Sequence, residues 1–71
     1  MDRQPVESSN IISIGYDGVT KTLEIEFKKN GAIFQYSDVP QVVHQELINA
    51  FSIGKYFHTR IKKEYPFFRL E

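Results

Sequence analysis

The segment Leu23 to Pro40, LEIEFKKNGAIFQYSDVP, constrains this chain more than any other, because apolar and polar residues alternate on both sides of Asn30-Gly31. An Asn-Gly pair suits the positive φ angles of a two-residue type I′ turn. With that loop, Lys29 is expected opposite Ala32, Phe27 opposite Phe34, Glu26 opposite Gln35, and Ile25 opposite Tyr36. The pairing puts Ile25, Phe27, Phe34 and Tyr36 on one face. A one-residue slip would set Phe34 beside Glu26 and scatter the apolar set over both faces.

Upstream, Ile12, Ile14 and Tyr16 alternate with Ser13 and Gly15, then Asp17-Gly18 and Thr20-Lys21 mark a turn into Leu23, Ile25 and Phe27. The expected fold class is therefore α+β: a three-stranded antiparallel meander followed by two helices packed on one face. Met1 to Ser9 is polar, contains Pro5 and lacks periodicity, which reads as a flexible arm ahead of a single domain spanning 10–71.

Pro40 has the fixed φ of a first helical position, and Ser37 or Asp38 stands where a cap is needed. Val43, Leu47, Ala50 and Phe51 then recur at helical spacing, opposite Gln41, Gln45, Glu46 and Asn49. Ser52 is placed to cap a second helix, in which Phe57, Ile61 and Tyr65 recur every four residues until Pro66 ends it. The tail Phe67 to Leu70 is long enough for a short fourth strand.

Seventy-one residues hold one modest core, with ten aromatic rings, six Phe and four Tyr, to fill it. There is no cysteine, which excludes disulfides and thiolate metal sites and fits a reducing cytosol. No apolar run approaches the roughly 18 residues of a membrane span, and the first ten residues lack the apolar core of a signal peptide. A cytoplasmic protein with no membrane partner is expected.

Nine basic and nine acidic residues leave no net charge to draw the whole protein to nucleic acid or acidic lipid. Their distribution is uneven. Arg3, Lys21, Lys28 and Lys29 face seven carboxylates before Lys55, whereas Lys55, Arg60, Lys62, Lys63 and Arg69 face only Glu64 and Glu71 after it. Such an asymmetry most often marks a solvated helix face.

Taken together, several residues resemble the KTSC domain, named for its place at the C-terminus of some lysyl-tRNA synthetases and also found as a stand-alone bacterial protein. The resemblance covers nearly the whole chain. It rests on Ser9 and Tyr16, on LEIEF, on Phe34-Gln35-Tyr36 followed by Val39-Pro40, and on Ala50, Ser52, Gly54, Tyr56-Phe57, Ile61 and Tyr65. The family's central motif is usually Tyr-x-Tyr, and Phe34 departs from it, which removes any role needing a hydroxyl there. The resemblance implies a small binding module with a suggested RNA link through its company with a tRNA enzyme.

Single-stranded RNA binders often stack bases on aromatics of an open sheet inside a basic groove. Here the aromatic face is also the face that two helical stripes need for burial, and the other face presents Glu24, Glu26 and Gln35. Phe34 and Tyr36 are therefore read as core, and the second helix as the better nucleic-acid candidate. At about 100° per residue, Lys55, Thr59, Lys62 and Lys63 gather opposite Phe57 and Ile61, with Tyr56 and Arg60 on one side and Arg69 joining from the tail. Such a face binds weakly, with salt sensitivity and little sequence preference.

The alternative reading is a protein-interaction module, with Phe68, Leu70, Tyr56 and Ile33 as a contact patch. Catalysis is the least supported class, and no cofactor or metal is expected. His44 reads as a partly buried histidine between Ile48 and Phe51, and His58 borders an apolar stripe; neither has a carboxylate or nucleophile at dyad spacing. Glu24 and Glu26 look like a solvated strand pair beside Lys28, and Gly15 and Gly18 precede no helix that would make a phosphate loop. Leu70-Glu71 matches a common vector-derived junction, so no function is assigned to either residue.

Overall fold

A computed structural model describes residues 1–71. Five antiparallel strands lie in sequence order, β1 (Arg3–Pro5), β2 (Ile11–Asp17), β3 (Thr22–Phe27), β4 (Ile33–Tyr36) and β5 (Phe67–Arg69), with α1 (Gln41–Ile48) and α2 (Ile53–Arg60) between β4 and β5. The three-stranded meander is thus the centre of a wider sheet. Part of the supposed arm is an edge strand, with Arg3 opposite Gly15 and Pro5 opposite Ser13. Proline is tolerated there because an edge strand keeps one row of N–H groups unpaired.

The central hairpin keeps its faces but not the expected register. Leu23 lies opposite Tyr36 and Ile25 opposite Phe34, a shift of two residues. The loop is four residues, 28–31, closed by the Phe27 N–H donating to Ala32 O at 2.9 Å and the Gly31 N–H donating to Phe27 O at 3.0 Å. Only Gly31 adopts positive φ, at +67°; Asn30 instead accepts the Ala32 N–H through Oδ1 at 3.0 Å. A two-residue shift preserves side-chain parity, so Ile25, Phe27, Phe34 and Tyr36 still share a face.

A bulge between Ile11 and Ser13 resets the phase of β2. Ile11 and Ile14 are therefore buried, and Ile12, expected inside, is partly exposed. Ile33, on the opposite face and expected in an exposed contact patch, is buried. Its carbonyl accepts the Leu70 N–H at 2.7 Å and its N–H donates to Glu71 O at 3.0 Å, so the last two residues extend the β4–β5 ladder over it.

Leu47 seats α1 in the core beside Val39, and Phe57 does the same for α2. Pro40 occupies the N-cap of α1, not its first helical position, and neither Ser37 nor Asp38 caps it; Asp38 takes φ +61°. The helix stops at Ile48, where Asn49 donates both its N–H (3.2 Å) and its Nδ2 (2.8 Å) to Gln45 O. Ala50 and Phe51 fall beyond that end, and Phe51 stands fully in solvent. Ser52 caps α2 by accepting the Lys55 N–H at 3.3 Å, and Ile61 remains buried although the regular helix ends one residue earlier.

Candidate functional site

Cross-strand pairing decides what surface β4 and β5 offer. Because Phe34 faces Arg69 and Tyr36 faces Phe67, these four side chains project from the helix-covered side of the sheet. Only part of that side is covered. Phe57 packs its ring 5.4 Å from both Phe27 and Tyr36, and beyond it Phe34 and Phe67 continue the aromatic surface toward the outer edge. Phe34 lies 5.7 Å from Phe27 and 5.6 Å from Phe67, so the five rings form a continuous floor and wall.

Between that floor and α2 opens a cleft of about 370 Å³. Its aromatic lining is Phe27, Phe34, Tyr36, Phe57 and Phe67, and its polar lining is Lys29, Lys62, Arg69, His58, Asn10 and Asn30, with no carboxylate side chain. Such a volume accepts a small planar ligand. Tyr36 is almost wholly buried, and burial pushes its hydroxyl up to about 12, so it stays protonated. Phe34 is only half-buried; of the two motif residues read as core, Tyr36 belongs to the core and Phe34 packs against it, and both line the cleft.

The basic residues of the C-terminal segment divide. Lys62 and Arg69 border the aromatic cleft. Arg60 and Tyr56 line a separate polar hollow with Glu46, Glu64, Tyr65 and Val43, where the Tyr56 hydroxyl donates to Glu46 Oε1 at 2.6 Å. Burial and the Glu46 carboxylate push that hydroxyl up to about 12. Lys55, Thr59 and Lys63 are exposed, and Thr59 turns its hydroxyl back onto Lys55 O at 2.9 Å.

Of the expected protein-contact patch, Ile33, Phe68 and Leu70 share one face of the β4–β5 pair, with Ile33 buried and the other two exposed, while Tyr56 lies apart on α2, tied to Glu46. His44 is half-buried and stacks on Tyr16, and burial lowers its pKa. Glu24 and Glu26 are not a solvated pair. Glu24 is buried and bonded by Arg3 and by Gln35 Nε2 at 2.9 Å, while Glu26 accepts from Ser13 Oγ at 2.8 Å. No cluster of three or more His, Cys, Asp or Glu is placed to hold a metal ion, and no helix is long and apolar enough to cross a membrane.

Phe27, Lys29, Phe67, Asn10 and Asn30 were not singled out by sequence as a site. The available signal was the Phe67-x-Arg69 alternation, which sends both side chains to one face once the tail is a strand.

Fold and cleft together define a small α+β module in which an aromatic sheet surface is left partly open beside a helix. The KTSC domain matches residues 7–65, and the chain belongs to that family. The crystal structure of a KTSC domain protein from Yersinia pestis superposes with a TM-score of 0.94 at 41% identity, covering 99% of this chain and 97% of that one. A protein of Stutzerimonas stutzeri (strain A1501) described as uncharacterised is 38% identical over 72 residues, the full length of both. A lysine–tRNA ligase of Nostoc sp. (strain PCC 7120) is 42% identical over 64 residues, spanning 90% of this chain but 11% of the ligase. The domain is a small module.

Proposed function

We propose that this chain binds single-stranded RNA by seating an unpaired base in the aromatic cleft while Lys29, Lys62 and Arg69 engage neighbouring phosphates. The observation that carries the reading is the composition of the cleft: five aromatic rings, cationic side chains and no carboxylate side chain. Stacking on such rings contributes roughly 1 to 3 kcal/mol per base, and the cations add a salt-sensitive term. Similarity to a segment of a tRNA ligase supports a link to RNA, and with it a cytoplasmic setting. This moves the nucleic-acid surface from the outer face of α2 to the gap between α2 and β5. Docking on a protein partner through Phe68 and Leu70 is the weaker reading, because Ile33, although it pairs with Leu70 on the same face, is buried, and Tyr56 lies apart on α2, bonded to Glu46.

The test is titration of labelled tRNA and of a random single-stranded RNA while amide NMR shifts are recorded at low and near-physiological salt. Salt-sensitive shifts centred on Phe34, Gly54, Lys62 and Phe67 are expected. Silence at low salt overturns the reading.

A further inference from the structure

We propose that this chain self-associates as a symmetric dimer in which β5 pairs antiparallel with β5 of a second copy, Phe68 opposite the partner's Phe68 at the two-fold axis. The inference goes beyond the RNA reading and does not depend on it.

The outer edge of β5 is open. Pro66 O accepts the Ser37 N–H at 2.8 Å and the Leu70 N–H donates to Ile33 O at 2.7 Å, so residues 66 and 70 turn these backbone groups toward β4. Backbone direction alternates along an antiparallel strand; Phe68 therefore turns inward as well, and the N–H and C=O of Phe67 and Arg69 point away from the sheet. No strand lies beyond β5 in the sheet, and all its residues are exposed, the two rings by 55% and 53%. Such an edge is a template for another strand. The opposite edge is closed to that use. In β1 the Val6 N–H donates to Ile12 O at 3.1 Å, so by the same alternation Arg3 and Pro5 face outward, and proline has no N–H to give. With one usable edge per chain, association closes at a pair that presents the same strand from both sides.

The sequence of β5 fits a second copy of itself in one register. Outward-facing residues must meet, which places the axis at Phe67, Phe68 or Arg69. An axis at Phe67 would match Arg69 with Tyr65, which lies outside the strand, and an axis at Arg69 would set two guanidinium groups side by side. With the axis at Phe68, each Phe67 meets the partner's Arg69 and exchanges both N–H···O bonds with it. On the cleft side that register lays each guanidinium beside a ring, and on the other face it brings the two Phe68 rings together, their Cα atoms about 4.5 Å apart. Nine basic and nine acidic residues leave no net charge to hold the copies apart. The half-exposed rings contribute roughly 100 Å² apiece, so the contact falls below the ~1,200 Å² of a lasting interface and the dimer is weak.

The experiment is sedimentation equilibrium of the full chain at neutral pH and low salt, without nucleic acid, from about 10 μM to about 1 mM. It is run on the wild type, on Phe68→Lys, on Phe68→Glu and on an equimolar mixture of the two variants. Phe68 is half-exposed on the face away from the helices, so both variants should fold, and their amide spectra check this. The wild-type weight-average mass is expected to climb from 8.3 kDa toward twice that value and no further. Each variant alone places like charges at the axis and loses the ring pair, and is expected to associate about tenfold more weakly or worse. The mixture is expected to regain most of the association, because lysine then meets glutamate across the axis. A wild type still monomeric at the highest concentration, a mass that climbs past the dimer, or variants that pair as well as the wild type would overturn the proposal. So would a mixture no more associated than its components, which would remove Phe68 from the axis.

Discussion

Arg3 on β1 reaches across Gly15 on β2 to the carboxylate of Glu24 on β3, two strands away. The crossing is possible because Gly15 has no side chain; a Cβ there would lie 2.9 Å from Asp2 O and 3.0 Å from Arg3 Cγ. Gln35 completes the row from β4, so a carboxylate with a side chain only 5% exposed is held from both sides. Burial alone would raise the pKa of Glu24, but the bonds from Gln35 and Arg3 and the Arg3 charge outweigh it and hold it below the usual carboxylate range.

Replacing Arg3 with Met keeps much of the stem's packing and leaves the buried carboxylate without its cation. The expected cost is about 1 to 3 kcal/mol, below the figure for a fully buried pair because the Arg3 side chain is 28% exposed. Because the Glu24 pKa is lowered on folding, its contribution is complete at neutral pH and declines as pH falls below about 4.5. Urea unfolding at neutral pH and in mild acid checks both points: Arg3→Met should be less stable at pH 7 and show a smaller further loss on acidification.

Two hairpin loops end in left-handed residues that differ in chemistry. Gly31 adopts φ +67°, and Lys21 adopts φ +57° where a Cβ is disfavoured. Nothing lies within 4 Å of a Cβ built on Gly31, so Gly31→Ala tests backbone conformation alone. It should destabilise by about 1 kcal/mol, whereas Lys21→Gly should stabilise by up to roughly 1 kcal/mol. Thermal midpoints moving in opposite directions would bear this out; a loss in both variants would not.

Local chemistry made part of this fold readable. Ser52 caps α2 and the apolar spacing through Phe57 and Ile61 finds the core, because a cap and a helical stripe depend on residues a few positions apart. The face assignment of the central hairpin survived for the same reason. Its register did not, since Asn30-Gly31 serves a two-residue or a four-residue loop according to whether Asn30 itself turns left-handed. Arg3-Gln4-Pro5 carries no alternation, and its strand forms through backbone bonds that any residue but proline can make. The cleft was hidden most deeply. It exists because β5 pairs with β4 after two intervening helices and brings Phe67 and Arg69 beside Phe34, a contact no local pattern encodes.

His44 lies flat on Tyr16, ring centroids 4.6 Å apart and planes within 9°, while the Tyr16 hydroxyl donates to Val39 O at 2.5 Å. Burial lowers the His44 pKa, so the unfolded chain takes up a proton more readily than the folded one. Above about pH 6.5 both states hold neutral imidazole and the difference vanishes; below it stability falls with pH until the folded state is also protonated. His44→Phe preserves a ring over Tyr16 without a titrating group. Between about pH 7.5 and 5.5 the wild-type midpoint should fall more than that of His44→Phe, as read by thermal melts at matched ionic strength.

Lys62 and Arg60 are two residues apart near the end of α2 yet border different surfaces, Lys62 the aromatic cleft and Arg60 the hollow containing Glu46 and Glu64. If binding used the whole basic face of α2, reversing either charge would have the same effect. A base seated in the cleft makes them unequal, because phosphates flanking it lie close to Lys62 while the Arg60 side is screened by solvent and by its neighbouring carboxylates. Lys62→Glu should weaken single-stranded RNA binding by about tenfold or more and lower the slope of log affinity against log salt by about 0.7 for the lost contact. Arg60→Glu should change affinity by less than about threefold at the same ionic strength, the residual effect being long-range and screened. Equal losses from both would return the interface to the outer face of the helix, where Lys55 and Lys63 would then be the residues to reverse.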